Sequence, residues 1–180
     1  MMIGIDLDST LVATENLIHG VAMKWSIFEK ANTFKMDNYP KHVKDEILNE
    51  FCHPDIMCSF PPYPGVCKKL NEWGENHEIF IITARTECIR EATKKYIFDL
   101  FQITEDKIYF VNFPESKLRI FVELNLDYWI DDKPEDLITA KDIGIKSVMI
   151  SNENTQYNHQ YRKFFPWYES VTLIDYFNRV

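Results

Sequence analysis

Five short apolar runs punctuate the chain, at residues 2–5 (MIGI), 78–82 (EIFII), 107–111 (KIYFV), 126–130 (LDYWI) and 145–150 (IKSVMI). Near-continuous apolar runs of this length predict strands covered on both faces. Between them the apolar positions recur every three or four residues. Ile89, Ala92, Thr93, Tyr96, Ile97, Leu100 and Phe101 trace one helical face, with Thr86 placed to cap its start. Pro64-Gly65 opens a helix through Val66, Cys67, Leu70 and Trp73, closed by Gly74. Pro134 starts another, since proline suits a first helical turn and Glu135 and Asp136 favour the dipole. Gly144 ends that helix. Ser170 is placed to cap a last helix through Val171, Ile174 and Phe177.

Strand alternating with helix predicts an α/β fold, a doubly wound, Rossmann-like parallel sheet with helices on both faces. Right-handed crossovers then put every strand's C-terminal end on one edge, where such folds bind ligands. One stretch breaks the alternation. Between Asp8 and Ser59 no strand is predicted; Leu17, Ile18, Val21, Ala22, Trp25 and Phe28 share one helical face, and Val43, Ile47, Leu48 and Phe51 share another. The expected organisation is a core domain of residues 1–13 and 60–180, with a small helical cap at 14–59 lying over the C-terminal edge of the sheet.

The 180 residues are 46% hydrophobic, 14% aromatic and 27% charged. Such a chain can bury roughly 70% of its unfolded surface, so it forms a core without disulfides. No apolar run approaches the ~18 residues of a membrane span. The opening MMIGIDLDST has an acid at position 6 in place of a basic and then apolar leader, which predicts no export signal. The net charge of −8 opposes a polyphosphate backbone, and no stable nucleic-acid binding is expected. Cys52, Cys58, Cys67 and Cys88 form no CxxC pair; they read as reduced thiols of a cytoplasmic protein, with Cys52-His53 and Cys58 as the alternative metal ligands. The five histidines show no metal spacing.

Candidate chemistry gathers past the strand ends. Asp6 and Asp8 follow the first run as D-L-D-S-T, Thr83 follows the second as I-I-T-A-R, and Asp131-Asp132 follow the fourth as W-I-D-D-K-P-E-D. Lys117 opens the helical stretch after the third. Residues two apart leaving a strand point to one side, so Asp6 and Asp8 can address one ligand. Carboxylates suit a hard cation such as Mg2+, and a cation with Lys117 reverses the field that acids alone would present to a phosphate. Thr83 and nearby N–H groups can hold phosphoryl oxygens. Each signal alone also fits a strand end, a cap or a solvated lysine; their joint order along one α/β alternation is what points to phosphoryl transfer.

These residues resemble the haloacid dehalogenase-like (HAD) phosphohydrolases. That family's DxDx[TV] motif is similar to D-L-D-S-T, its Ser/Thr to Thr83, its Lys to Lys117 (with Lys107 and Lys133 in the same neighbourhood), and its acidic pair to Asp131-Asp132 with Asp136 following. Within the family, F-P-P-Y-P-G-V, I-I-T-A-R and I-D-D-K-P-E-D look like those of 5′(3′)-deoxyribonucleotidases and related nucleotidases, which often carry Gly where this chain has Ser9. The resemblance implies Asp6 as nucleophile and Asp8 as general acid–base. It implies Mg2+ held by Asp6, the Asp8 carbonyl and Asp132, supported by Asp131 and Asp136. Thr83 and Lys117 would grip the phosphoryl group. The second acid argues against the dehalogenase branch.

The implied substrate is a small phosphomonoester, a nucleoside monophosphate first; a polynucleotide 3′-phosphatase, a sugar-phosphate phosphatase and a non-catalytic binding module of the same fold are the alternatives. Trp25, Phe28, Phe34 and Tyr39 are placed either to stack on a base or to form the cap's own core. Arg85 is placed to contact phosphate or sugar, or to pair with an acid. The aromatic stretch YNHQYRKFFPWYES is either tail packing or a partner surface.

Overall fold

A computed structural model describes residues 1–25, 39–111 and 117–150. β1 (Met2–Ile5), β2 (Glu78–Thr83), β3 (Ile108–Phe110), β4 (Tyr128–Asp131) and β5 (Lys146–Met149) form one parallel sheet in the order β3-β2-β1-β4-β5. The alternation of strand residues sorts the core into two layers. Ile3, Ile5, Ile79, Ile81, Tyr128, Ile130 and Val148 face α4 (Val66–Gly74) and α5 (Arg90–Phe101). Phe80, Ile82, Trp129 and Met149 face α6 (Leu118–Glu123) and α7 (Pro134–Asp142). The chain runs outward from β1 in one direction and then in the other, so right-handed crossovers place the two helix pairs on opposite faces. The switch point falls between β1 and β4, where Ile5 is level with Ile130.

Gly4 in β1 is required by packing. A Cβ there would stand 2.5 Å from Leu126 and 2.9 Å from the ring of Trp129, the largest fully buried side chain.

Several expected boundaries move. Lys107 closes a 3-10 turn (Glu105–Lys107) before β3, and Leu126 is buried ahead of β4. Thr83 and Asp131 are the last residues of their strands. Thr86 does precede a helical segment, but it is a 3-10 turn (Glu87–Ile89), and its side chain makes no capping bond. The helix expected from Ser170 and the aromatic tail lie outside the described residues.

After β1 come α1 (Glu15–Lys24), α2 (Lys41–Glu50) and α3 (Pro54–Met57). Ile18, Val21, Ala22, Tyr39, Val43 and Ile47 form an apolar cluster of their own. Tyr39 therefore belongs to that packing. Trp25 does not: its indole N–H donates to Glu46 at 2.7 Å, its ring stands edge-on to His42, and it is 49% exposed. Leu48 is likewise exposed, because Val43 and Ile47 at i and i+4 set the buried line and Leu48 lies a further 100° round the helix. Phe28 and Phe34 lie outside the described residues.

Candidate active site

The loop after β1 starts from a backbone bond, Asp6 N–H to the Ile130 carbonyl at 2.9 Å, which holds Asp6 beside the end of β4. Leu11 and Val12 N–H groups both donate back to the Leu7 carbonyl, and the Val12 carbonyl accepts from Ser9. The turn this makes puts Ser9 at φ 59. A left-handed φ is the physical reason glycine suits this place; Ser9 holds it with its N–H on Thr14 Oγ1 at 2.9 Å. Thr10 clips the loop to β4's end, donating to Asp132 Oδ1 and accepting from the Asp132 N–H.

Asp6, Asp131 and Asp132 each bring one carboxylate oxygen to within 4.8 Å of the others. Lys117, at the start of α6, sets its Nζ 2.6 Å from Asp6 Oδ1, 2.9 Å from Asp131 Oδ2 and 3.3 Å from Asp136 Oδ2. Its ammonium also lies 4.7 Å from the centroid of the Trp129 ring. Lys107 instead faces Glu78, and Lys133 faces Asp136 from the rim, each at 4.0 Å.

The electrostatics are those of acids crowded out of water. Burial pushes the Asp6 carboxyl up to about 8, against the pull of Lys117 and with the push of Asp131 and Asp8. Burial raises Asp132 strongly, with Asp131 and Asp6 adding to it, and raises Asp131 despite Lys117. Burial opposes the charge on Lys117, but Asp131, Asp6 and Asp136 outweigh it and raise its pKa. Three acids thus meet one ammonium, with Asp132 beside them. An all-oxygen donor set of crowded, buried acids fits a hard divalent cation such as Mg2+, whose charge would favour their ionised forms. Asp6, Asp131 and Asp132 are the side chains whose oxygens lie close enough together to share such a cation.

Asp8 lines the same cavity as Asp6 but is held by a different cation. Arg85, 4% exposed, grips both its oxygens: Nη2 lies 2.8 Å from Oδ1 and Nε 3.0 Å from Oδ2. The guanidinium is held from behind by Thr93 and by the Tyr96 ring, 5.3 Å to the centroid, both on α5. Arg85 thus pairs with an acid, and that acid is on the β1 loop. Thr83 is fully buried, its hydroxyl accepting from the Arg85 N–H at 3.2 Å, and it is absent from the cavity wall. As the last residue of β2 it fixes the turn Ala84–Thr86, which does line the cavity.

The cavity has a volume of about 410 Å3. Its floor is Asp6, Lys117, Asp131 and Asp132; its side is Arg85 and Thr86; its opposite wall is Ile18, Phe51 and Met57 from the helical insertion. The motifs located the floor. They contained Thr10, the last residue of D-L-D-S-T, and Trp129 without giving either its supporting role, and they missed the apolar wall; Phe51 was visible only as one more position of a helical stripe.

No protein-family model matches the chain. It is 29% identical over 174 residues to a Bacillus cereus protein named "Putative nucleotidase", covering 88% of each. It is 26% identical over 131 residues to one of the same description from Oceanobacillus iheyensis, covering 72% of this chain and 68% of that one. A haloacid dehalogenase-like family hydrolase from Streptococcus pneumoniae superposes with a TM-score of 0.70 at 17% identity, covering 96% of this chain and 97% of its own. The sheet order, the helices on both faces and this superposition agree: the fold is that of the HAD-like hydrolases.

Proposed function

We propose that the chain is a Mg2+-dependent phosphomonoester hydrolase working through an aspartyl-phosphate on Asp6, with nucleoside monophosphates as its substrates. The observation that carries the reading is Asp6 in the lining of an open-mouthed cavity, paired to buried Lys117 at 2.6 Å and grouped with Asp131 and Asp132. A bound Mg2+ supplies charge that draws a phosphate dianion into this acidic floor and keeps Asp6 ionised.

Asp6 attacks phosphorus in line, forming the Asp6 O–P bond as the ester P–O bond breaks. Lys117 takes part of the charge on the phosphoryl oxygens. Asp8, turned from Arg85 toward the ester, gives its proton to the departing alkoxide. It then takes a proton from the water that attacks the aspartyl-phosphate, which releases inorganic phosphate and restores Asp6. Arg85 returns Asp8 to one orientation between the steps. Thr83 acts through the Ala84–Thr86 turn, whose residues line the cavity.

Residues 14–59 serve in this reading as the cap. The Ile18–Phe51–Met57 wall gives an apolar surface for a base, opposite the polar floor. The volume falls within the ~300–1,000 Å3 of small-molecule sites, and the nucleotidase names of the similar bacterial proteins support the same substrate class.

The test is phosphate release from ribo- and deoxyribonucleoside 5′- and 3′-monophosphates, sugar phosphates and a 3′-phosphorylated oligonucleotide, with and without Mg2+. Mononucleotide turnover that needs Mg2+ and vanishes in Asp6→Asn is expected. Turnover by a folded Asp6→Asn protein near the parent rate removes Asp6 as nucleophile; turnover of the oligonucleotide alone removes the substrate class.

A further inference from the structure

We propose that Cys52 and Cys88 form a reversible disulfide at the mouth of the cavity, a thiol-oxidation site that ties the helical insertion to the sheet core. The two residues come from different parts of the fold. Cys52 follows α2, next to Phe51 of the apolar wall, and Cys88 lies in the 3-10 turn after β2, two residues past Thr86, which also lines the cavity. One hydroxyl links them: Thr86 Oγ1 is 2.8 Å from the Cys88 sulfur and 3.9 Å from the Cys52 sulfur. Both are exposed to solvent, whereas Cys58 and Cys67 are partly covered.

Their environments divide the labour. The Thr86 hydroxyl and then Cys52 lower the Cys88 pKa, while contact with Cys88 raises that of Cys52. Burial pushes up both Cys58 and Cys67, the slower thiols toward an oxidant. With hydrogen peroxide as oxidant, the Cys88 thiolate attacks one peroxide oxygen, the O–O bond breaks, and the hydroxide that leaves becomes water. The resulting sulfenic acid is attacked by the Cys52 sulfur, and a second water leaves as the S–S bond forms. The two thiols lose two electrons and two protons, and one peroxide becomes two waters. A dithiol reductant reverses the step through a mixed disulfide.

The bond would fix Phe51 and Thr86, two lining residues of the cavity, at one separation. That consequence rests on the hydrolase reading; formation of the bond does not. The experiment treats the full chain with a few equivalents of hydrogen peroxide, alkylates, digests and maps disulfides by mass. The expected result is a Cys52–Cys88 linked peptide, loss of two titratable thiols per chain, and recovery of both with dithiothreitol. Cys52→Ser and Cys88→Ser each prevent the loss of a thiol pair, and Cys67→Ser does not. Oxidised wild type, but neither serine variant, gains thermal stability, and its mononucleotide KM changes while the reduced variants match reduced wild type. A thiol pair lost equally in Cys88→Ser, a link between two chains, or no pair lost overturns the proposal. If the linked peptide forms in a protein with no phosphatase activity, the site stands and the hydrolase reading fails.

Discussion

The floor and the wall of the cavity are built by opposite means. The floor is made where β1 and β4 end side by side, and its polar groups answer one another at fixed distances, Asp6 to Lys117 to Asp131 and Asp132 to Thr10. The wall is made by helices that own a separate apolar cluster and lend the cavity Ile18, Phe51 and Met57. Sheet register leaves the floor almost no freedom, since a shift of one residue turns every side chain to the other face. The wall can change shape or composition without disturbing a single floor contact. Chemistry and selectivity are therefore separable here, and variants that touch one side only should show it.

The largest separation is expected from Lys117→Met. The substitution removes the ammonium that three carboxylates share and leaves them buried together. If Lys117 faces the phosphoryl group as proposed, its loss costs about 10²–10³-fold in kcat, and breaking a buried pair destabilises by about 3–5 kcal/mol. Turnover and chemical denaturation measured together check both. Retention of activity within about tenfold would place the chemistry elsewhere in the cavity. Mg2+ should recover part of the stability, because the cation supplies the missing positive charge.

Arg85→Lys tests the join between the two regions. Lysine keeps the charge but not the fork that holds both oxygens of Asp8. A fall of about 10²-fold in kcat is expected, the scale of a mispositioned general acid–base. KM and the melting temperature should move far less. A loss of stability with kcat intact would make Arg85 a packing residue between the β1 loop and α5.

How far these parts could be read in advance follows the same division. The floor's acids were legible because strand ends and hydrophobic runs locate them in one dimension, and parallel pairing then brings Asp6 beside Asp131 without further information. Lys117 was legible by type but shared its candidacy with Lys107 and Lys133, since only the third dimension shows which ammonium reaches Asp6. On their position after β2, Thr83 was read toward the ligand and Arg85 either toward the ligand or toward an acid. Burial turns the Thr83 hydroxyl to the Arg85 backbone and the guanidinium to Asp8, a contact across 77 residues that no local pattern records. Trp25 and Leu48 followed the helical period yet stand outside the buried line, because the strip two short helices cover is narrower than the apolar stripes drawn along them.

The pH response distinguishes the floor further. Without metal, Asp6 keeps its proton in the folded chain to about pH 8, against an ordinary value of 3.8. The folded state thus binds more protons than the unfolded one between those limits. The stability this group contributes is complete below about pH 4 and is lost as the pH rises toward 8. A cation must displace that proton, so Mg2+ affinity should climb with pH, by up to about tenfold per unit for one proton, and level off above 8. The Mg2+-induced rise in melting temperature should accordingly be larger at pH 8.5 than at pH 6. Equal shifts at the two pH values would mean that the metal does not bind at Asp6. Asp6→Asn should flatten the pH dependence while leaving the fold intact.

Phe51→Ala is the smallest and most selective change. Phe51 is half-buried at the margin of the insertion's cluster, with its ring on the cavity and none of the floor's polar groups among its partners. Its truncation takes away apolar surface that would cover a nucleobase, a loss of about 1–2 kcal/mol if that surface is covered on binding. KM for nucleoside monophosphates should rise about tenfold, with kcat nearly unchanged, because the lost contact is as strong in the ground state as in the transition state. For a phosphomonoester too small to reach the wall, neither constant should move. A parallel loss on both substrates would mean that Phe51 shapes the floor after all, and the two regions would have to be treated as one.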